Sequence, residues 1–413
     1  FLPTVYLAAA CRSTHAASNT LKCVGRAIMH LYAWAAIEDQ NRLESGDFLD
    51  GTEVKGFDIE DRFRNGDFLD DAEIESLARA CDQKYNLLLG PQITQMTGTR
   101  QVAPQTVSVR LFYIAKYLDW LAQRRIKQLP LTSIERSSLE LSLGRMLTML
   151  KSRDPAYGQD PQSPKEGLSK ESLAKLLEVV CPVGYAEGKL SLDSKGQYRW
   201  SPENPFLNPD IRIRNCMMIL LLLNLGIRRG ELLGLKVSDI NFASNKIAIR
   251  RAPDDPTDPR NHEPNTKTLA REVALNDFIG TMVRDYVLKV RRNWAPRKRD
   301  HAFLFVARGG APLSIPSVDK MWQRLRMSVP ELPKDIASHI LRHTWNDLFS
   351  ERIEQEKVPE SREEQMRSNQ MGWSQTSKSA TVYTRRYVRA ATNKASLEMQ
   401  KAQFHPKNTE TEK

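Results

Sequence analysis

Residues 216–223 read CMMILLLL, an unbroken apolar run. It is far too short to cross a bilayer, which takes about 20 residues as a helix. Asn208 and Pro209 precede it as a helix start, a side-chain cap followed by a proline whose missing N–H is not needed there. Gly226 ends it. A helix that is apolar all round has to be wrapped by other elements. The segment therefore predicts a globular domain built around one buried helix.

The rest of the chain is mainly helical in its patterning. Residues 18–36, 106–125 and 134–152 carry apolar residues at helical spacing. They predict an all-helical N-terminal domain over 1–152 with an acidic insertion at about 37–75. Within that insertion the pentapeptide GDFLD occurs twice, twenty residues apart, at 46–50 and 66–70. Each copy reads as a turn followed by an Asp-capped helix start, and two copies are too few for a solenoid. Residues 153–169, RDPAYGQDPQSPKEGLS, have linker chemistry. Ser169 then caps a new helix, and a second domain is expected over 170–390 with a tail at 391–413, whose last residues read as disordered. In that domain residues 182–208 read as a loop or small hairpin. KIAIRR (246–251), REVAL (271–275) and FLFVA (303–307) read as strands. Helices follow at about 277–293, 317–328, 338–350, 361–371 and 376–384. The fold class is mainly α with a small antiparallel sheet in the C-terminal domain.

Charge points to the partner. The 413-residue chain carries a net charge of +11. Residues 1–100 hold 10 basic and 15 acidic side chains, so the excess lies entirely in the remainder. A basic surface suits a polyanion such as nucleic acid, or serves solubility. The helix at 106–125 places Arg110, Lys116 and Arg124 beside its apolar face; it can lie along a DNA groove or simply cover a core. The N-terminal stretch FLPTVYLAAACRS lacks the basic start of a secretory signal, and it lacks an initiator Met, so the natural chain is expected to begin earlier. Five cysteines without CxxC pairing fit a reducing cytoplasm and speak against a zinc site or a disulfide framework.

Four short segments carry candidate chemistry. Residues 226–235, GIRRGELLGL, place Arg228 and Arg229 directly after the apolar helix. An arginine beside a core helix needs an anion, either a ligand or a nearby acid such as Glu231 or Asp239. HILRHT (339–344) puts His339 and Arg342 on one helix face; a phosphate between them removes their mutual repulsion. Lys267, in NTKTLAREVAL, sits at the start of a strand, where a lysine is usually just exposed. QMGWSQTSKSATVYTRRY (370–387) holds two tyrosines, Tyr383 and Tyr387, among basic residues.

Together, and in this order, these segments resemble the tyrosine recombinases, also called the phage integrase family. The resemblance covers roughly residues 168–390; the helical N-terminal region is similar to the family's core-binding domain only loosely. It implies a tyrosine-recombinase-like catalytic domain and a site-specific DNA recombinase that cuts and rejoins duplex DNA through a 3′-phosphotyrosyl link. By position, Arg228 and Arg342 would clamp the scissile phosphate and Tyr383 would attack it. Lys267 would protonate the departing 5′-oxygen, and His339 would help move the tyrosyl proton. Trp373 stands where the family commonly has His; it can donate one N–H but cannot accept a proton. Tyr383 lies ten residues after Trp373, one more than the family pattern, and Tyr387 is the alternative. Arg229, Arg385 and Arg386 would contact DNA backbone or form surface pairs, and His343 would support the box structurally. The resemblance further implies no cofactor, no metal and no ATP. It also implies duplex DNA as partner, a homo-tetramer on DNA with possible accessory proteins, and a cytoplasmic, nucleoid-associated enzyme of a prokaryote or mobile element. Rival readings are a type IB topoisomerase or telomere resolvase with the same chemistry, and a non-catalytic DNA-binding protein.

Overall fold

The computed structural model describes residues 1–13, 18–45, 57–85, 101–155, 166–252, 255–261, 263–264, 268–294, 301–374, 377 and 379–404. The chain divides into two compact units, Phe1–Pro161 and Gln162–Lys413. The division falls inside the 153–169 stretch.

The first unit is helical throughout. After a short helical start over residues 2–12 come α1 (Ser18–Ser45), α2 (Ile59–Asn65), α3 (Asp71–Cys81), α4 (Pro104–Ile126) and α5 (Ile134–Ser152). Leu31 and Trp34 of α1 and Ile114, Tyr117 and Leu118 of α4 are fully buried between them. The second GDFLD copy works as a stop and a start. Gly66 ends α2 in the left-handed conformation, and Asp70 caps α3 in a reciprocal pair with Glu73. The first copy lies outside the described residues.

The second unit wraps α7. Around it are α6 (Lys170–Val180), α7 itself (Pro209–Leu225), α8 (Arg229–Gly234), the strands β1 (Ile240–Asn241), β2 (Lys246–Ile249) and β3 (Arg271–Ala274), then α9 (Asp277–Asp285), α10 (Ile315–Ser328), α11 (Ser338–Gln355), α12 (Glu360–Met371) and α13 (Ser379–Phe404). Asn208 caps α7 through the N–H of Ile211 at 3.1 Å, and every residue from Cys216 to Leu222 is fully buried. The sheet is antiparallel in the order β1-β2-β3, with Ile247 opposite Val273. Among the described residues no helix is long and apolar enough to cross a membrane, and the five cysteines are free.

Two expectations change. FLFVA is not a strand: Phe303 and Val306 make only isolated bridges, to Lys236 and Pro312. Phe303, Leu304, Phe305 and Val306 are all buried. The backbone bonds of residues 302–307 are split between two short partners, Leu235 and Val237 on one side and Ala311 and Leu313 on the other, so no ladder grows beyond an isolated bridge. The last helix is also far longer than 376–384. Beyond Tyr387 the sequence supplies Ala, Lys, Glu, Gln, Leu and Met with no Gly or Pro before Pro406. Those helix formers carry α13 to Phe404.

Candidate active site

The site is assembled by helix ends. Gly226 closes α7 at φ +61°, and Ile227 buries in the core. Arg228 follows as the residue that opens α8, its backbone N–H held by Glu231 Oε2 at 2.6 Å. The start of α11 is fixed where Trp322 Nε1 donates to Ser338 Oγ at 2.8 Å. One helical face then presents His339, Arg342 and His343. Gly372 ends α12 at φ +65° and delivers Trp373, whose N–H returns to Ser368 O at 3.0 Å. From α13 comes Tyr383, its ring stacked on Trp373 with centroids 5.7 Å apart and planes at 15°.

These pieces line one cavity of about 620 Å3, which holds Arg228, Arg229, His339, Arg342, His343, Trp373 and Tyr383. Arg342 is buried, donating through Nη1 to Gly226 O at 2.6 Å and through Nη2 to Met371 O at 3.4 Å. The phenol oxygen of Tyr383 lies 2.9 Å from Nδ1 of His343. Arg228 Nη1 and Trp373 Nε1 are buried donors with no partner among the described residues. Buried donors left unpaired are costly, so a site with two of them is built to receive an acceptor.

The charge balance says which kind. Burial lowers the Arg342 guanidinium to about 9, and the neighbouring Arg228 charge adds to the effect. Burial lowers Arg228 as well, although Glu231 opposes the shift. Glu231 is bonded mainly to Arg271, at 2.9 and 3.2 Å, and to Thr268 Oγ1, and it reaches Arg342 Nη1 only at 4.0 Å. Two cations that burial destabilises, facing a common cavity, are relieved by an anion between them. Burial raises the Tyr383 phenol above its ordinary value, while Arg342, Arg228 and Arg367 pull it down.

Of the expected catalytic residues, the cavity gathers Arg228, His339, Arg342, Trp373 and Tyr383. Lys267 lies outside the described residues. The residues that follow it are anchored at the site: Thr268 donates to Glu231, and Leu269 N–H donates to Gly372 O at 2.9 Å. Tyr387 is tied to Glu354, not to the cavity lining. Arg229 lines the cavity and pairs with Asp319. Arg385 and Arg386 lie on α13. The remaining three basic residues belong to the first unit. There Arg110 donates to the carbonyls of Cys81 and Gln83, both at 2.6 Å, Lys116 sits 4.6 Å from the Phe112 ring centre, and Arg124 sits 5.1 Å from that of Trp120.

Three residues carry more than the sequence reading gave them. Glu231 was weighed as a partner for an arginine of its own box, but its side chain serves Arg271, forty residues on. Arg367 is fully buried behind the tyrosine, paired with Glu363 and with its Cζ 6.0 Å from the Tyr383 ring centre. His343 bonds the phenol directly; its place one residue after Arg342, on the same helical face as His339, was the available signal.

The second unit thus brings three of the segments that resemble the tyrosine recombinases, those of Arg228, of His339 and Arg342, and of Trp373 and Tyr383, to one cavity. Residues 206–393 match the model of the Phage integrase family. The chain is 30% identical over 137 residues to an integrase of Staphylococcus phage L54a, a stretch covering 30% of this chain and 37% of that protein. It is 30% identical over 139 residues to a putative integrase/recombinase of Sinorhizobium fredii, covering 32% and 28%. The match therefore spans about a third of the length of these curated relatives. The Tn1549 transposon integrase, solved in complex with transposon right end DNA, superposes at a TM-score of 0.43 and 16% identity over 89% of this chain and 98% of that one.

Proposed function

We propose that the chain is a site-specific DNA recombinase that exchanges strands through a covalent 3′-phosphotyrosyl intermediate. The observation that carries this reading is the Tyr383 phenol, held beside the buried Arg342 and the half-buried Arg228 in a cavity with unpaired donors. In this reading a backbone phosphate is the missing acceptor. Arg228 and Arg342 hold its non-bridging oxygens and stabilise the charge that grows on them in the five-coordinate transition state. Trp373 Nε1 supplies a further donor. Tyr383 Oη attacks phosphorus, the bond to the 5′-oxygen breaks, and Lys267 protonates that oxygen. The phosphodiester energy is kept in the tyrosyl link, so a 5′-hydroxyl of a new partner strand reverses the step. The positive balance of the chain beyond residue 100 supports duplex DNA as the partner. Four protomers acting together on two duplexes complete the proposal.

The test uses the full chain and a pool of nicked duplexes of randomised sequence, in which cleavage beside the nick traps the adduct. Protein-linked DNA is recovered and sequenced to give the preferred site. Wild type and Tyr387→Phe are expected to form the adduct and Tyr383→Phe to form none. An adduct that persists in Tyr383→Phe moves the nucleophile, and a wild-type chain that links to no member of the pool removes the reading. Exchange between two marked copies of the selected site then separates a recombinase from an enzyme that only relaxes or reseals DNA.

A further inference from the structure

We infer that His343, and not His339, is the base that takes the phenolic proton of Tyr383 when the tyrosine attacks. The inference rests on the strand-transfer reading above and deepens it. Among the described residues, those that face the phenol come from four elements: His343 and Arg342 on α11, Arg228 at the start of α8, Arg367 on α12 and Trp373 after α12. The three arginines are charged through the range in which imidazole titrates and have no lone pair to offer there. Trp373 has only an N–H. That leaves imidazole. His343 Nδ1 is 2.9 Å from the phenol oxygen, within the reach a general base needs. His339 lies one helical turn earlier, and its ring meets that of His343 edge-on with centroids 5.9 Å apart. It lines the same cavity, while the ring that meets the Tyr383 ring is that of His343, with centroids 5.7 Å apart.

The step balances within the residues named. His343 carries its proton on Nε2, and the Nδ1 lone pair accepts the hydrogen bond from Tyr383. As the Oη–phosphorus bond forms, the phenolic proton passes to Nδ1 and the imidazole becomes imidazolium. The phosphorus–5′-oxygen bond breaks, and the leaving oxygen is protonated by a separate acid. On religation the incoming 5′-hydroxyl gives up its proton, and the imidazolium returns its own to the tyrosyl oxygen as that leaves. The acid and the base are thereby different groups, which makes them separable by experiment.

The experiment follows single-turnover adduct formation by the full chain on the selected nicked duplex, across the pH range in which imidazole titrates. Wild type is expected to lose rate on the acid side as His343 becomes protonated. His343→Gln and His343→Asn are expected to be slower by about 10²- to 10⁴-fold, the usual worth of a general base. Both should lose the acid limb, and their deficit should narrow as rising pH ionises the phenol without help. The asparagine variant retains a hydrogen-bonding atom near the Nδ1 position, so it preserves packing where glutamine disturbs it; thermal unfolding and duplex affinity verify this for each. His339→Gln should keep the acid limb. A duplex whose 5′-bridging oxygen is replaced by sulfur, which leaves without a proton, should rescue an acid-deficient variant but neither His343 variant. A folded His343→Asn that cleaves at the wild-type rate with the same pH profile overturns the inference, as does an acid limb that disappears in His339→Gln instead. Either result with Tyr383→Phe inactive leaves the strand-transfer reading standing. An active Tyr383→Phe fails that reading instead.

Discussion

Arg342 donates through Nη1 to the carbonyl oxygen of Gly226 at 2.6 Å. This bond joins the end of α7 to α11, residues 116 positions apart in the chain. It forms because Gly226, the left-handed residue that ends α7, turns its own carbonyl across the site instead of along the helix axis. A Cβ at that position would lie 2.4 Å from Met371 Cε and 3.0 Å from Trp345 Cγ, and the left-handed backbone alone costs a non-glycine residue about 1–2 kcal/mol. Gly226→Ala is therefore expected to lower the unfolding free energy by at least that much and to misaim Arg342. Chemical denaturation should record the first effect and adduct formation the second. Wild-type cleavage in the variant would mean that Arg342 is aimed by other contacts.

Glu231 makes the stability of the fold depend on pH. Its side chain is fully buried, and Arg271 is nearly so. Burial pushes the carboxyl up, but the bond and charge of Arg271, with Thr268 and the Arg228 N–H, outweigh it and hold the group below the usual carboxylate range. A carboxyl whose folded value is depressed stabilises the fold fully above its unfolded value and loses that contribution as pH falls through the folded one. Stability should accordingly drop in acid. Glu231→Gln leaves Arg271 buried without its counter-charge, which costs about 3–5 kcal/mol in such pairs. Denaturant melts should find the variant weaker at neutral pH and flatter through the acid range. Parallel wild-type and variant curves would assign the acid sensitivity to other carboxylates.

What the sequence made legible here was local. Asn208, Pro209 and Gly226 mark the ends of α7 because caps and glycine turns act within a few residues. The segments of Arg228, of His339 and Arg342, and of Trp373 could likewise be singled out because each sits at one helix end. The long-range polar pairs were not legible. Nothing near Glu231 signals that its partner is Arg271. ESREEQMRSNQM reads as a solvated helix, yet it buries Arg367 completely, because Asn346, Ser350 and Glu363 supply a polar lining that only the packed fold assembles. FLFVA failed for the opposite reason: an apolar run has no signature that separates a strand from packed core.

Trp373 offers a separation of stacking from donation. Its ring lies on Tyr383 and 5.4 Å from Arg342 Cζ, while Nε1 has no partner among the described residues. Trp373→Phe keeps an aromatic face and removes the donor. Loss of one donor to a developing oxyanion costs about 10²- to 10³-fold elsewhere, and adduct formation should fall toward that range with little change in thermal stability. Trp373→His restores an N–H and should recover part of the rate. Equal rates for tryptophan and phenylalanine would confine Trp373 to packing.

Arg367 joins stability to nucleophilicity. It lies fully buried on α12, paired with Glu363, donating to Asn346 Oδ1 at 2.9 Å and to Ser350 Oγ at 2.8 Å, with its charge under the Tyr383 ring. Arg367→Leu strands Glu363 and the polar lining of α11, so a loss of about 3–5 kcal/mol is expected. The same charge helps to pull the phenol down against burial. Its removal should leave Tyr383 harder to ionise, slowing adduct formation near neutrality by more than the folded fraction explains and restoring it as pH rises. Arg367→Lys keeps a charge without the planar fork, so it should retain more of the rate than of the stability. A leucine variant whose slowing is equal at every pH would sever Arg367 from the phenol and leave it a purely structural role.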